Sequence, residues 1–73
     1  MTLGQYLRHL RFMRRMPLNE LVGATGLSPE HLLDLETDRH ASSREDIASL
    51  AAALHVPEEA LVERAQHVRP SAL

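Results

Sequence analysis

The feature that most constrains the fold is a glycine-centred turn inside residues 16–36, MPLNELVGATGLSPEHLLDLE. Gly26 stands where a helix would end, because glycine readily adopts the left-handed conformation found after helix C-termini. Ser28 is a favoured N-cap residue, and Pro29 suits the first position of a helix. The segment therefore predicts two short helices joined by a tight turn, which is a helix-turn-helix arrangement.

The rest of the chain predicts three more helices and no convincing strand. Thr2 and Gln5 form a capping box at the start of the first helix, and Ser43 and Asp46 have the matching spacing at the start of the fourth. Asp38 is expected in a left-handed conformation after the third helix. The predicted helices span residues 2–15, 18–24, 28–36, 43–54 and 57–67. We expect an all-α domain over residues 1–68, followed by a tail at residues 69–73.

Apolar residues at helical spacing define the expected core. In the first helix this stripe predicts that Met13 is buried together with three leucines, and in the fifth it predicts that Val62 faces inward. The full inward-facing set is Leu3, Leu7, Leu10, Met13, Leu21, Val22, Leu32, Leu35, Ile47, Leu50, Ala51, Leu54, Leu61, Val62 and Ala65.

Composition limits the classes of protein that fit. A chain of 73 residues allows one small domain. It contains no cysteine, which removes disulfides and thiolate metal sites and is compatible with the cytoplasm, where we expect the protein. No apolar run approaches a membrane span of about 20 residues, and no signal-peptide pattern is present. We therefore expect no membrane association.

Charge is distributed unevenly along the chain. The formal net charge is −2, which argues mildly against a DNA-binding domain. Residues 1–15 nevertheless carry four arginines and no acid, whereas residues 16–38 carry five acids and no lysine or arginine. Arg39 and Arg44 follow that acidic block. A basic segment therefore lies on each side of the helix-turn-helix.

In the order and spacing of these elements, the chain resembles the phage-repressor (lambda-repressor-like, Cro/C1-type) family of helix-turn-helix DNA-binding domains. The resemblance covers roughly residues 7–61. Each matching element is weak alone, but together they are specific. They are Leu7-x-x-Leu10-Arg11, Leu21, Gly26-Leu27-Ser28, Leu32-x-x-Leu35-Glu36, Leu50-Ala51-x-Ala53-Leu54-His55-Val56 and Leu61.

The resemblance implies an internal ion pair between Arg11 and Glu36, which would join the first helix to the end of the third. Each residue directly follows a leucine that is expected to face the core, so both side chains should be partly shielded from water. The alternative is two independent, solvated charges.

The resemblance also implies a set of DNA contacts by a sequence-specific transcriptional regulator with its third helix in the major groove. Phosphates would be held near the start of the second helix and in the loop after the third. Base edges would be read from the third helix. The corresponding residues here are Arg14, Arg15, Asn19, Arg39, His40, Ser43 and Arg44 for phosphates, and Pro29, Glu30, His31 and Asp34 for bases.

The third helix departs from the usual pattern of DNA readers. Glu30 and Asp34 can only accept hydrogen bonds, chiefly from cytosine, and phosphates repel them. Leu18 stands where the family often has a phosphate-binding Gln, and Pro17 at the cap position lacks an N–H group. An alternative function is a helix-turn-helix scaffold that binds a protein partner through Leu18, Leu33 and the acids of the third helix.

Other functions find little support in the sequence. The five histidines lack metal-ligand spacing, and no nucleophile arrangement or Gly-rich phosphate loop is present, so we expect neither an enzyme nor a cofactor. Regulators of this type usually bind two DNA half-sites as dimers. We therefore expect a homodimer, with Leu61, Val62 and Val68 of the fifth helix and tail as candidate interface residues.

Overall fold

The computed structural model describes residues 1–67, with side chains described as far as residue 65. Within residues 1–67 the chain forms five α-helices and no strand, so the expected all-α fold is confirmed. The helices are α1 (Leu3–Met13), α2 (Leu18–Thr25), α3 (Pro29–Glu36), α4 (Arg44–Leu54) and α5 (Glu58–His67). Val68 and the predicted tail at residues 69–73 lie outside the described residues.

Side-chain caps determine where α1, α3 and α4 begin. Thr2 and Gln5 form the predicted capping box, in which Thr2 Oγ1 accepts from the Gln5 N–H at 3.1 Å. Ser43 and Asp46 form the second box, and Ser28 accepts a hydrogen bond from the His31 N–H. These three cap residues have extended backbones, so α1, α3 and α4 each begin one residue later than the sequence prediction, whereas α2 begins at Leu18 as predicted.

Left-handed residues follow several of the helices. Gly26 has φ 77° after α2, as its position at the predicted turn requires. Asp38 also has positive φ, at 61°, as expected. The sequence did not predict that Arg15 would have φ 50°, and this turn ends α1 at Met13, two residues before the predicted boundary.

The core is built mainly from leucines contributed by all five helices. α1 packs against α3 and α5, while α4 packs against α2 and α5. Fully burying one leucine side chain is worth roughly 1.5–3 kcal/mol, so this cluster supplies the main stabilising contribution of a small domain. The completely buried side chains are Leu7, Leu21, Leu32, Leu35, Leu50, Leu54 and Leu61.

Two residues predicted to be buried are exposed instead. Met13 is 66% exposed, because α1 ends there and the chain turns, so that Met16 packs against the core in its place. Val62 is 37% exposed, because Leu61 and Ala65, one turn apart on α5, occupy the inward positions beside it. Among the described residues, no helix has the length and apolar character needed to span a membrane.

Candidate nucleic-acid interface

The C-terminal end of α3 is held to α1 by the ion pair between Arg11 and Glu36. Arg11 Nε lies 2.8 Å from Glu36 Oε2, and a second guanidinium nitrogen donates to Oε1 at 3.1 Å. The Glu36 side chain is 2% exposed and that of Arg11 is 14% exposed. Arg11 also donates to the Met16 carbonyl oxygen at 3.1 Å. One guanidinium therefore fixes α1, the turn before α2 and the last residue of α3 relative to one another.

The start of α1 lies directly against the end of α3. A Cβ atom added to Gly4 would lie 2.7 Å from the Leu35 carbonyl oxygen and closer still to that of Glu36. Just beyond α3, Asp38 accepts hydrogen bonds from the Thr2 hydroxyl at 2.6 Å and from the Gly4 N–H at 3.0 Å. The loop after α3 therefore caps α1, where a carboxylate also suits the helix dipole.

The N-terminal end of α3 is held to α4 through His31. Its Nε2 lies 3.1 Å from Asp46 Oδ2, and the same oxygen accepts from the Ser43 N–H at 3.0 Å. Burial of Asp46 raises the pKa of its carboxyl. The hydrogen bonds from Ser43 and His31 and the charge of His31 outweigh that effect, so the net pKa lies below its usual value. His31 was predicted as a base-reading donor, but this contact occupies one of its two ring nitrogens.

A second histidine lies beside this contact. The ring centroids of His31 and His40 are 5.9 Å apart, and His40 Nε2 is 3.8 Å from Asp34 Oδ2. The side chains of His40 and Asp34 are 61% and 35% exposed. The structure thus brings four residues expected at the DNA interface, namely His31, Asp34, His40 and Ser43, into one cluster with a fifth that was not, Asp46.

The first turn of α3 presents the remaining candidate base-reading residues to solvent. Pro29 and Glu30 are exposed, and the neighbouring Leu33 is 48% exposed. Leu18, expected to lie on a surface for a protein partner, is half-buried and packs against the core. The exposed surface of α3 is therefore acidic and apolar, without an arginine or amide.

The candidate phosphate-binding residues flank α3 in the chain and lie on the surface. In the part of the chain with described side chains, none of the arginines among them forms an ion pair. The backbone N–H of Arg39 donates to the Asp34 carbonyl oxygen at 2.8 Å, which fixes the start of the loop after α3. The exposed candidates are Arg14, Arg15, Asn19, Arg39, His40, Ser43 and Arg44.

Three positioning residues escaped the sequence analysis. Asp46 was recognised only as a cap, although the carboxylate oxygen that accepts from the Ser43 N–H also contacts His31 of α3. Asp38 was expected in the correct backbone conformation, but its contact with Thr2 joins residues 36 apart in the chain. Gly4 carried no local signal, because its role depends on α3 passing close by.

The candidate dimer interface needs a correction. Leu61 is completely buried within the core, so it has no surface to offer a second chain. Val62 is exposed, and Val68 lies outside the described residues. In the described part of the chain, no cluster of His and carboxylate side chains could hold a metal ion.

The fold and the turn between α2 and α3 define the class of the protein as a helix-turn-helix domain. A protein-family model described as a helix-turn-helix domain matches residues 2–65. The chain therefore belongs to this family. The phage-repressor subtype suggested by the sequence resemblance is not established by that match.

The chain is similar to a solved structure of a gene regulator. It is the crystal structure of the clp gene regulator ClgR from C. glutamicum, with a TM-score of 0.76 and 31% sequence identity. The alignment covers 94% of this chain and 91% of the ClgR chain. No curated protein matches the sequence significantly.

Proposed function

We propose that the protein is a DNA-binding transcriptional regulator that places α3 in the major groove. The observation that carries this proposal is the geometry of α3, which is fixed at both ends by side-chain contacts while Pro29 and Glu30 in its first turn remain exposed. A reading helix must present its side chains in one fixed orientation to discriminate bases. Membership of the helix-turn-helix family and similarity to a gene regulator support the same function.

In this proposal, arginines supply most of the affinity. Arg14 and Arg15 precede α2, whereas Arg39 and Arg44 follow α3, and all four are exposed. Phosphate contacts of this kind set the register and orientation on the duplex without reading sequence. Because each contact releases counterions, binding should weaken steeply as salt rises.

Base reading would be modest and biased toward cytosine. Glu30 and Asp34 can accept from cytosine N4, while Leu33 can contact a thymine methyl group. His31 retains its Nδ1 for an additional contact, since Nε2 faces Asp46. The two carboxylates reduce overall affinity, so sequence preference should be weaker than for helices that read with arginine or glutamine.

Selection of genomic fragments at low salt with the purified chain tests the proposal. We expect enrichment of a common site, with affinity falling linearly on a log–log plot against salt concentration. Arg39→Ala and Arg44→Ala should each reduce that slope by about 1 and weaken binding to all sequences alike. The matched variants Arg39→Lys and Arg44→Lys keep the charge and should preserve the slope.

The second candidate function is a protein-interaction module, favoured by the exposed Leu33 beside acidic residues on α3. If the protein is such a module, selection at low salt should enrich no DNA fragment, and random genomic DNA should not bind. That result would overturn the DNA-binding proposal and favour this alternative. An acidic and apolar surface of this kind suits a basic, apolar protein segment.

A further inference from the structure

His31 is the residue of α3 that can change both its charge and its hydrogen-bonding pattern near neutral pH. An imidazole gains a proton as pH falls from about 8 to about 5, whereas carboxylates stay ionised and arginines stay charged in that range. The Nε2 atom of His31 lies 3.1 Å from Asp46 Oδ2, and the His31 side chain is 34% exposed. His31 therefore lies between a buried carboxylate and solvent.

Asp46 determines which nitrogen of the neutral His31 ring carries the hydrogen. The pKa of Asp46 lies below its usual value, so the carboxyl is ionised and can only accept hydrogen bonds. The oxygen that faces His31 also accepts from the Ser43 N–H at 3.0 Å, which holds the carboxylate in place. Nε2 must therefore be the donor in this contact. Because a neutral imidazole has one donor and one acceptor, Nδ1 is left as the acceptor.

The second ring nitrogen of His31, Nδ1, is free to contact a ligand. Within residues 1–65 it forms no hydrogen bond, and the buried side-chain polar atom that lacks a partner there is Ser42 Oγ. Nδ1 is therefore open to solvent. Glu30 and Asp34 of the same helix are also acceptors, so with a neutral His31 these three side chains of α3 offer a ligand only acceptors.

Protonation of His31 changes Nδ1 from an acceptor into a donor, because both nitrogens of an imidazolium carry hydrogen. An acceptor suits the amino groups of cytosine and adenine, whereas a donor suits guanine N7 and O6, thymine O4 or a phosphate oxygen. The added positive charge also reduces the repulsion between α3 and the phosphates. We propose that His31 makes DNA recognition by α3 depend on pH, with Asp46 as the positioning residue that fixes the hydrogen on Nε2. This inference rests on the proposed DNA-binding function.

A second histidine responds in the same pH range. The His40 ring centroid lies 5.9 Å from that of His31, and His40 Nε2 is 3.8 Å from Asp34 Oδ2, so its added charge is placed beside Asp34. Carboxylates and guanidiniums keep their charge between about pH 5 and about pH 8, which leaves the two histidines as the groups that change. Charged side chains on the elements around His31 also include Glu20 of α2, Glu30 of α3, Arg39 of the loop, Arg44 and Glu45 of α4, and Arg11 with Glu36 at the other end of α3.

Fluorescence anisotropy of the full chain with DNA at fixed low salt tests the affinity from about pH 8 to about pH 5.5. The probes are genomic fragments recovered by selection at each of these two pH values. We expect affinity to rise about tenfold or more as pH falls, which is the effect of one new charge-assisted hydrogen bond. His31→Gln cannot gain a proton and should lose most of this rise. His9→Gln on α1 is the matched control and should keep it.

Sequencing of the fragments selected at the two pH values tests base preference. One position of the site should change from cytosine or adenine at the higher pH to guanine or thymine at the lower pH. His40→Gln should weaken binding in acid, because it removes a second positive charge, but should keep this change of base. Asp46→Asn should broaden the preference at the higher pH, because an amide does not fix the hydrogen on Nε2. Asp46→Glu keeps the carboxylate and the capping box and should keep the preference.

Nitrogen chemical shifts of the His31 ring, measured by NMR on the full chain without DNA, separate this inference from the function on which it rests. A neutral His31 with its hydrogen on Nδ1 would overturn the inference whether or not DNA binds. Hydrogen on Nε2 together with no DNA binding at any pH would overturn the proposed function, and the inference with it. DNA binding with equal affinity and base preference at both pH values, or a His31→Gln variant that responds to pH as the unmodified chain does, would overturn the inference alone. Circular dichroism at both pH values confirms that each variant is folded.

Discussion

The two ends of α3 are both joined to a neighbouring helix by a carboxylate and a nitrogen base, but the two contacts differ in kind. At the C-terminal end, Arg11 and Glu36 form a bidentate pair that is nearly closed to water. At the N-terminal end, His31 is one-third exposed and contacts Asp46 through a single nitrogen. The first contact joins a guanidinium and a carboxylate through two hydrogen bonds, whereas the second is an ion pair only when His31 is protonated. The C-terminal end of α3 is therefore held more firmly than its N-terminal end, which is the end proposed to contact a ligand.

The largest expected effect comes from breaking the buried pair. Arg11→Ala or Glu36→Ala should lower the free energy of unfolding by about 3–5 kcal/mol, because the remaining charge stays buried without a partner. Urea unfolding monitored by circular dichroism measures this. Glu30→Ala, which removes an exposed acid from the same helix, is the control and should change stability little. Unchanged melting temperatures in both pair variants would contradict the structural role of this contact.

A second change at the same end tests the close approach of α1 to α3. Gly4→Ala should destabilise the fold by about 1–3 kcal/mol, because its Cβ would meet the carbonyl groups of Leu35 and Glu36 and force the helices apart. Gly23→Ala is a matched control on α2, where a Cβ would have no neighbour within 4 Å. That control should be neutral or stabilising by up to about 1 kcal/mol, since alanine favours helix. Equal effects of the two substitutions would contradict the close approach of α1 to the carbonyl groups at the end of α3.

At the N-terminal end, Asp46→Asn should cost about 1–2 kcal/mol at neutral pH, because it removes a charge-assisted acceptor for His31 and Ser43. The folded-state pKa of Asp46 lies below its usual value. Its stabilising contribution is therefore complete above pH of about 4 and is lost as pH falls through that lower pKa. Urea midpoints of both proteins across this range should converge in acid. A gap that stays constant at low pH would show that the carboxylate charge is unimportant.

The smallest effect should come from the exposed pair beside this contact. His40→Ala should change stability by less than about 0.5 kcal/mol, because a partly solvated pair 3.8 Å apart contributes little. His31→Ala provides the contrast and should destabilise more, since it leaves the buried Asp46 with one fewer donor. Thermal melts at neutral pH compare the two. A greater loss for His40→Ala would reverse the assignment of which histidine holds α3.

Local chemistry explains why most of the architecture was predictable. Gly26, Ser28, Thr2 and Ser43 act within a few residues of themselves, so turn and cap rules located the helices to within about two residues. The prediction that Met13 is buried was wrong, because helical spacing indicates which face of a helix a residue occupies. It does not indicate whether the helix continues far enough for that residue to pack against the core. The left-handed Arg15 that ends α1 early carries no such signal, because arginine does not favour that conformation.

The contacts that fix α3 were only partly predictable, for a different reason. The pair between Arg11 and Glu36 followed from a family resemblance rather than from spacing. The contacts of Gly4, Asp38 and Asp46 with distant parts of the chain depend on how helices pack together. Local sequence does not encode that packing for a single residue. The exposed charges of α3 could be identified directly from the sequence. Their ligand could not, because an acidic helix is compatible with either DNA or a protein partner.

Asp38 has a consequence for folding and for engineering. Its carboxylate closes a chain segment of more than thirty residues by capping a helix that was synthesised first. A peptide containing only α2, the turn and α3 would lack Thr2, Gly4 and Arg11, and would leave the end of α3 without the groups that hold it. Such a fragment should be largely unstructured in water, since isolated helices of this length are marginal. The segment from α2 to α3 should therefore not keep its structure when it is transferred alone. Grafting it onto another scaffold would require α1 to be included in the graft.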